Sequence, residues 1–271
     1  MIKTFFPSSP VLCKYIECFY IYEGMPSSTF RYVAFPHFNT GLSFFKGATI
    51  FRNYPQITIT ESEPKGIQIE LLGKYNSPLL IDFKGKIQEV SIIFKPLGIN
   101  RFFRENYQSI APHFSQELLH ETWKSFGNQL TFTASDLPDL ESFLLSQYEA
   151  TPELHPIQKA LSMLNDSNEK RAVTEIANEL GFNLKTFQRY FNKYMGCSPT
   201  EYRRISRFRN SLTNKFNSSE LKNFTDITYE EGYYDQSYLI KEFRKLTNHN
   251  PKDFFKLTSK VDGDKIVWEL K

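Results

Sequence analysis

The chain has few cysteines, no long apolar run and no large excess of charge of either sign. Its 271 residues include three cysteines, Cys13, Cys18 and Cys197. Because three thiols cannot all pair, a disulfide scaffold is excluded and a reducing compartment is expected. No apolar stretch approaches the roughly 20 residues of a membrane-spanning helix, and the N-terminus is too weakly hydrophobic for a signal peptide. We therefore expect a cytoplasmic protein with no membrane partner.

Sequence motifs of enzymes are also missing. The chain contains no Gly-x-Ser-x-Gly, no phosphate-binding loop, no dinucleotide fingerprint and no cluster of metal ligands. We therefore expect no catalytic residue, no metal and no cofactor. An enzymatic function would have to depend on a pocket in the N-terminal half.

The net charge of +3 is unevenly spread along the chain. Residues 155–260 contain 18 Lys and Arg against 12 Asp and Glu, a net charge of +6. Residues 1–154 carry −2, and the last eleven residues carry −1. A cationic excess confined to one part of the chain favours contact with phosphate groups there, although it selects no base sequence.

A segment in this basic part occurs twice. The residues from Thr174 to Gly181, TEIANELG, return from Thr225 to Gly232 as TDITYEEG. The copies stay in step after one inserted residue, so that Phe191 matches Phe243. A short helix, a turn that contains glycine and a second helix form a helix-turn-helix unit. The repeat therefore predicts two such units in one chain.

Each repeat carries signals for its own turn and second helix. Gly181 lies where the chain leaves the first helix, a position that often needs positive φ. Asn183 and Asp235 are suited to cap the second helices. Phe187 and Phe191, four residues apart, are expected to point into the core together. The opposite face of each second helix is then free to contact DNA.

The residue types on those outward faces suit a major groove, because Arg and Lys bond guanine, Gln pairs with adenine and an aliphatic side chain touches the thymine methyl. We predict base contacts from Lys185, Gln188, Arg189, Gln236, Ser237, Ile240 and Lys241. We predict phosphate contacts from Asn192, Lys193, Arg203, Arg204, Arg244 and Lys245.

A helix is predicted between the two units. Ser198 to Glu201 has the pattern of a capping box with proline at the first helical position, and Asn250 to Asp253 repeats it. From Pro199 the helical pattern continues to about Asn214, with Tyr202, Ile205, Phe208 and Leu212 inward. At the standard rise this is roughly 24 Å of rod. Such a rod would separate two recognition helices by something near the ~34 Å of one duplex turn.

These residues resemble the DNA-binding domain of the AraC/XylS family of transcriptional regulators. The resemblance covers about residues 155–258 and is most specific at Ile176-Ala177 through Gly181-Phe182, Gln188-Arg189, Gly196 through Tyr202-Arg203, and Gly232 through Tyr238. It implies seven helices, two helix-turn-helix units joined by a long helix, and binding of one chain to adjacent major grooves. The second copy departs from the family pattern at Thr228, and at Asn248-His249 in place of a glycine-containing turn.

The first 150 residues have an extended rather than a helical pattern. Short β-branched and aromatic runs, separated by Gly, Pro and Asn, predict strands at residues 31–35, 42–45, 48–51, 56–60, 67–72 and 90–94. We interpret them as a small β-barrel or sandwich, followed by helices at 98–105, 117–126 and 137–147, with 155–165 opening the DNA-binding domain. Two segments, 36–45 and 94–103, resemble cupin-like sensor domains, which implies ligand sensing or dimerisation.

Other residues of the N-terminal half are weak site candidates. His37 lacks a second ligand at metal spacing, so a structural role is favoured. Cys13 and Cys18 are best interpreted as buried thiols in an aromatic segment. Arg101 and Arg104 are expected to be solvated, although an anionic ligand is an alternative. No ligand-binding residue is assigned.

The sequence thus predicts an α+β protein with a β-rich, cupin-like domain at residues 1–150, an all-α DNA-binding domain at 151–260 and a C-terminal tail at 261–271. We expect a transcriptional regulator, activator or repressor, whose N-terminal domain responds to a ligand or self-associates. Its expected partners are double-stranded DNA, RNA polymerase, a small-molecule effector and a second copy of the chain. The alternative is a small-molecule-binding or enzymatic β-barrel in which DNA binding is secondary.

Overall fold

The computed structural model describes residues 2–63, 66–166, 171–217, 233, 235–257, 259–261 and 266–270. Within these residues a β-rich half precedes a helical half, which confirms the predicted fold class. The strands are β1 Ile2–Phe5, β2 Ile16–Glu23, β3 Thr29–Ala34, β4 Thr40–Lys46, β5 Ala48–Asn53, β6 Gln56–Glu61, β7 Ile67–Leu72, β8 Leu79–Lys84, β9 Gln88–Phe94, β10 Ser115–Glu117, β11 Ser259–Val261 and β12 Ile266–Leu270.

The strands form two facing sheets. One has the order β1-β2-β9-β4-β7-β10 and the other β11-β12-β3-β8-β6-β5. Neighbouring strands are antiparallel except β6 and β8. Alternate side chains of both sheets, such as Phe45, Ile59 and Phe83, fill the space between them. This arrangement is a sandwich, one of the two predicted forms.

The segment predicted as a tail contributes strands to the second sheet. β11 and β12 pair with each other, and β12 pairs with β3 through Trp268 opposite Ala34 and Leu270 opposite Tyr32. The backbone of the C-terminal end therefore returns to the β-rich half. Charge and length gave no sign of this pairing, because it depends on a partner strand more than 200 residues away.

The helices of the described residues are α1 Tyr107–Ile110, α2 Glu121–Gly127, α3 Leu137–Gln147, α4 His155–Asn165, α5 Val173–Glu179, α6 Leu184–Met195, α7 Pro199–Asn217, α8 Gln236–Thr247 and α9 Pro251–Leu257. The first three cover the outer face of the first sheet, where Trp123 packs beside Phe44 and Phe103. The first helix of the second repeat, from Thr225 to Gly232 and including Thr228, lies outside the described residues.

Several local predictions need correction. The helix expected at 98–105 is a single 3-10 turn, Gly98–Arg101, because Asn106 caps a separate helix, α1. The helix expected at 117–126 begins at Glu121, since Ser115–Glu117 pairs with β7. Cys13 is exposed, in contrast to the buried Cys18.

Candidate nucleic-acid interface

The first helix-turn-helix unit consists of α5, a four-residue turn and α6. Gly181 has a φ of +79°, and the next amide, that of Phe182, donates to the Ala177 carbonyl at 2.9 Å. Asn183 begins α6 as its N-cap, with its side-chain oxygen accepting from the Thr186 amide at 2.9 Å. The predicted roles of this glycine and of the asparagine cap are confirmed.

One face of α6 is buried and the other is open. Phe187 and Phe191 are fully buried, with their rings 5.8 Å apart, and Phe191 lies 5.8 Å from Tyr202 of α7. The predicted contact residues of this helix lie on the other side. Lys185, Gln188, Arg189 and Lys193 are exposed, and Asn192 is half-buried. The first unit therefore presents a continuous polar and cationic face.

The second unit is built around α8 in the same way. Asp235 caps the helix by accepting from the Tyr238 amide at 2.7 Å. Asn248 ends it with a φ of +63°, where Gly196 ends α6 with a φ of +67°. Asparagine tolerates this left-handed conformation. The departure from the family's glycine at this turn is thus compatible with the same helix end.

The predicted contact residues of α8 are also on its outer side. Gln236, Ser237, Lys241, Arg244 and Lys245 are exposed, and Ile240 is half-buried. Phe243 faces the other way, 5.1 Å from Phe208 of α7 and 5.8 Å from Phe254 of α9. The aromatic core thus fixes which side of α8 is left open.

The long helix α7 joins the two units. Its 19 residues correspond to about 28 Å of helix. Tyr202, Ile205, Phe208 and Leu212 are buried, as the sequence predicts.

The arginines predicted to contact phosphate from α7 are less open than those of α6 and α8. Arg203 is half-buried, and burial, followed by the nearby Arg207, lowers the pKa of its guanidinium. Arg204 is also half-buried and lies beside Glu242 of α8. Their contact with phosphate stays a prediction.

One arginine that was not predicted as a site residue lies between the two halves. Arg209 of α7 donates from Nε to the Pro36 carbonyl and from Nη2 to the Phe35 carbonyl, both at 2.9 Å. Burial lowers the pKa of this guanidinium to about 10. The sequence does indicate this position, because Arg209 follows the inward residues Tyr202 and Ile205 at helical spacing and so lies on the same side of α7.

Other contacts join the halves at the end of α6. Asn100 donates to the Tyr194 carbonyl at 3.0 Å and accepts from the Tyr107 amide at 3.1 Å. A Cβ added at Gly196 would lie 2.4 Å from Cε1 of Tyr107. The β-rich half therefore packs directly against the end of α6, the second helix of the first unit.

The halves also share a hydrophobic core. Phe35 lies 4.9 Å from Phe254, and Phe38 lies 4.2 Å from Tyr202, measured between ring centroids. The same cluster contains most of the buried residues of α4 to α9. The segment that begins at Pro36, which resembles a sensor domain, is thus in contact with the helical half.

Two basic side chains lie near this segment. Lys74 donates from Nζ to the Phe38 carbonyl at 2.7 Å, and its ammonium group lies 5.0 Å from the centroid of the Tyr107 ring. Burial lowers the pKa of Lys74 to about 8. The pKa of His37 is well below its ordinary value, first because of burial and then because of Arg209 and Lys74. The His37 ring packs edge-on against Tyr75 of the same half, with ring centroids 5.6 Å apart.

A polar crevice of about 250 Å³ also lies between the halves. It is lined by Asn100, Phe103, Arg104, Glu105, Asn106, Ser109, Thr151, Glu153, Lys193 and Tyr194. Arg104 pairs with Glu149 at 3.4 Å. Arg101 is not solvated, which corrects the expectation: it is buried and donates to the Thr151 carbonyl at 2.9 Å.

Two family models match parts of the chain. Residues 163–204, which contain α5, the turn and α6, match the AraC family of bacterial regulatory helix-turn-helix proteins. In this segment the chain is similar to AraC-family regulators. Residues 4–115 match a domain of unknown function, DUF6597. No curated protein sequence matches the chain.

Solved structures similar to this chain include ToxT from Vibrio cholerae. A 1.65 Å structure of ToxT is 16% identical, covers 88% of this chain and 97% of its own, and has a TM-score of 0.45. ToxT with a bound unsaturated fatty acid is 13% identical, with 87% and 93% covered and a TM-score of 0.45. ToxT bound to (E)-4-(8-methylnaphthalen-1-yl)but-3-enoic acid is 14% identical, with 94% and 98% covered and a TM-score of 0.44.

None of the helices in the described ranges is both long enough and apolar enough to cross a membrane. The same ranges bring together no group of three or more His, Cys, Asp or Glu side chains that could hold a metal ion.

Proposed function

We propose that this chain is a sequence-specific DNA-binding regulator of the AraC type, in which α6 and α8 read adjacent major grooves. The observation that carries the proposal is the pair of exposed faces, one on each capped helix. Lys185, Gln188 and Arg189 are exposed on the first face, and Gln236 and Lys241 on the second. These side chains match the donors and acceptors of base edges.

The packing of the β-rich half supports this use of α6. Its contacts are with the end of the helix, at Tyr194 and Gly196, and with Arg209 of α7. The residues of α6 predicted to contact bases, Lys185, Gln188 and Arg189, are exposed, while Lys193 also lines the crevice between the halves. DNA and the β-rich half can therefore be bound at the same time.

Binding to genomic fragments tests the proposal. The full chain is incubated with a fragment library at two salt concentrations, bound fragments are sequenced, and affinity for the selected site is compared with that for a random duplex. We expect the selected site to bind 10³-fold or more tightly than the random duplex, and the preference to survive the higher salt. Equal affinity for both duplexes at both salt concentrations would contradict the proposal.

We further infer that the β-rich half controls DNA binding through its contact with α6 and α7. The crevice supports this, because Lys193 and Tyr194 of α6 line it together with Arg104 and Asn106 of the β-rich half. A polar molecule bound there would contact both halves. Its volume of about 250 Å³ is below the usual range of pockets for drug-sized ligands, so the effector we expect is a small molecule that carries charged groups.

A variant that fills the crevice tests this control. Ser109→Trp places a large ring on an exposed position of the crevice wall, away from the reading face. We expect the variant to keep its affinity for the operator and to lose any response to small polar metabolites that the unmodified chain shows in the binding assay. A full response in the variant would rule out the crevice as the effector site.

Small-molecule binding or catalysis within the sandwich is the second candidate, with DNA binding secondary. The buried Glu89 favours a polar role for that interior, because Ser91 donates to it at 2.6 Å and Tyr20 at 3.3 Å. Burial raises the pKa of this carboxyl. Substrate turnover that persists in Arg189→Ala, without any operator preference in the full chain, would favour this candidate.

A further inference from the structure

One ion pair joins the connecting helix to the second recognition helix. Nε of Arg204 in α7 lies 3.5 Å from Oε2 of Glu242 in α8. The two side chains are 20% and 11% exposed. Arg204 is predicted from the sequence to contact phosphate, so the position of its guanidinium beside a carboxylate is a new observation.

Glu242 is unusual for its place in the helix. It lies on the buried face of α8 with Leu239, Phe243 and Leu246, whereas the reading face is on the other side. A carboxylate in such surroundings is costly unless a cation compensates it. Arg204 supplies that charge from α7. The pair therefore constrains how α8 can rotate or tilt on α7.

The matching position of the first repeat has a comparable contact. Tyr190 occupies in α6 the place that Glu242 occupies in α8, three residues after Phe187 and Leu239 respectively. The Tyr190 hydroxyl donates to the carbonyl of Glu153, in the segment before α4. Each recognition helix is thus held through this position to an element that precedes it in the chain.

We propose that Arg204 and Glu242 are positioning residues that fix the angle of α8 on α7, and that Arg204 is not a phosphate contact. This inference rests on the proposed function, because the angle matters for reading a second major groove. The charge of Arg204 is already neutralised by Glu242 in the free protein. Its loss should therefore change the number of released counterions little, while it misaligns the second unit.

The test compares Arg204→Gln, Glu242→Gln and the double variant in the full chain. Affinities for the selected operator and for a random duplex are measured at several salt concentrations, with a footprint of each half-site. We expect each single variant to bind the operator roughly tenfold more weakly and to lose protection of the second half-site. Random-duplex affinity should change less than twofold, and the double variant should be no worse than the weaker single variant.

Arg244→Gln is the matched comparison, because Arg244 is an exposed arginine on α8, the helix of Glu242, and is predicted to contact phosphate. That variant should weaken binding to all sequences and reduce the salt slope by about one. If Arg204→Gln behaves as Arg244→Gln does while Glu242→Gln binds normally, Arg204 is a phosphate contact and the proposal is wrong.

Two further measurements distinguish misfolding of a variant, or failure of the proposed DNA-binding function, from absence of the Arg204–Glu242 pair. Circular dichroism and urea unfolding of the same variants test the pair without DNA. We expect the double variant to unfold at a urea concentration no lower than that of the less stable single variant, because the two changes remove one interaction. Additive losses would overturn the pair. If the unmodified chain prefers no sequence, the proposed function fails, and this unfolding result still decides whether the pair exists.

Discussion

The contact between the halves at the end of α6 can be tested with two glycine substitutions. Gly196 and Gly181 both have positive φ, +67° and +79°. An alanine at either position is strained by about 1–2 kcal/mol, since a left-handed backbone brings its Cβ close to a carbonyl oxygen. The positions differ in their surroundings. A Cβ at Gly196 would lie 2.4 and 2.8 Å from two ring carbons of Tyr107, whereas at Gly181 nothing lies within 4 Å.

The expected magnitudes follow from this difference. Gly181→Ala should lower the free energy of unfolding by about 1–2 kcal/mol, from backbone strain alone. Gly196→Ala should lower it by a further ~1–3 kcal/mol, which is the usual cost of overpacking a buried site. The ring of Tyr107 cannot move freely, because this residue is 2% exposed and its amide is bonded to Asn100.

The assay is urea unfolding of both variants, followed by circular dichroism. A third measurement repeats Gly196→Ala in a Tyr107→Ala background, where the added methyl group has room. There the loss should fall to that of Gly181→Ala. Equal losses for the two glycine variants, or a loss at Gly196 that is the same with and without Tyr107, would refute the close packing of the halves.

Three other predictions follow. Arg189→Ala or Gln188→Ala should weaken operator binding by about 1–3 kcal/mol and relax the preference at one or two base positions, as measured by binding to a panel of single-base operator variants; unchanged affinity and preference in both would remove them from the site. Asn183→Ala should lower the free energy of unfolding by about 1 kcal/mol, because a Thr186 amide loses its cap; no loss in urea unfolding would contradict the cap. The free energy of unfolding should rise between pH 8 and about pH 10.5, because the folded pKa of Lys74, about 8, lies below its ordinary value, so that in this range the unfolded state binds more protons than the folded state. Lys74→Met should flatten this rise. An unchanged pH profile in the variant would argue against a buried ammonium group.

The helical half was the more predictable part because its signals are local. Asn183 and Asp235 each cap a helix by accepting from the amide three residues further along the chain. The predicted start of α7 at Pro199 is also the observed one. Its predicted end, near Asn214, is three residues short of Asn217. The strands read from β-branched runs were also found, usually one or two residues longer than predicted.

The features that sequence reading missed depend on distant partners. β2 and β8 were not predicted, because polar residues and a proline before β8 obscure the alternation of apolar and polar side chains. In the fold, β2 pairs with β9 and β8 pairs with β3. Arg209 and Glu242 were not singled out from the sequence for a related reason. Charged residues are rarely buried unless they are paired, so the sequence alone does not indicate that a charged residue on the inward side of a helix is buried. Its burial is explained only by a polar or charged partner on another element.

The central claim is that one chain reads two adjacent major grooves with α6 and α8. Methylation-interference footprinting on the selected operator, at a protein concentration where one chain binds each duplex, tests it most directly. We predict two groups of contacted bases on one face of the duplex, centred about 10 base pairs apart. Arg189→Ala should weaken only the first group, and Lys241→Ala only the second. A single group of contacted bases, or two groups that appear only when two chains are bound, would contradict the claim.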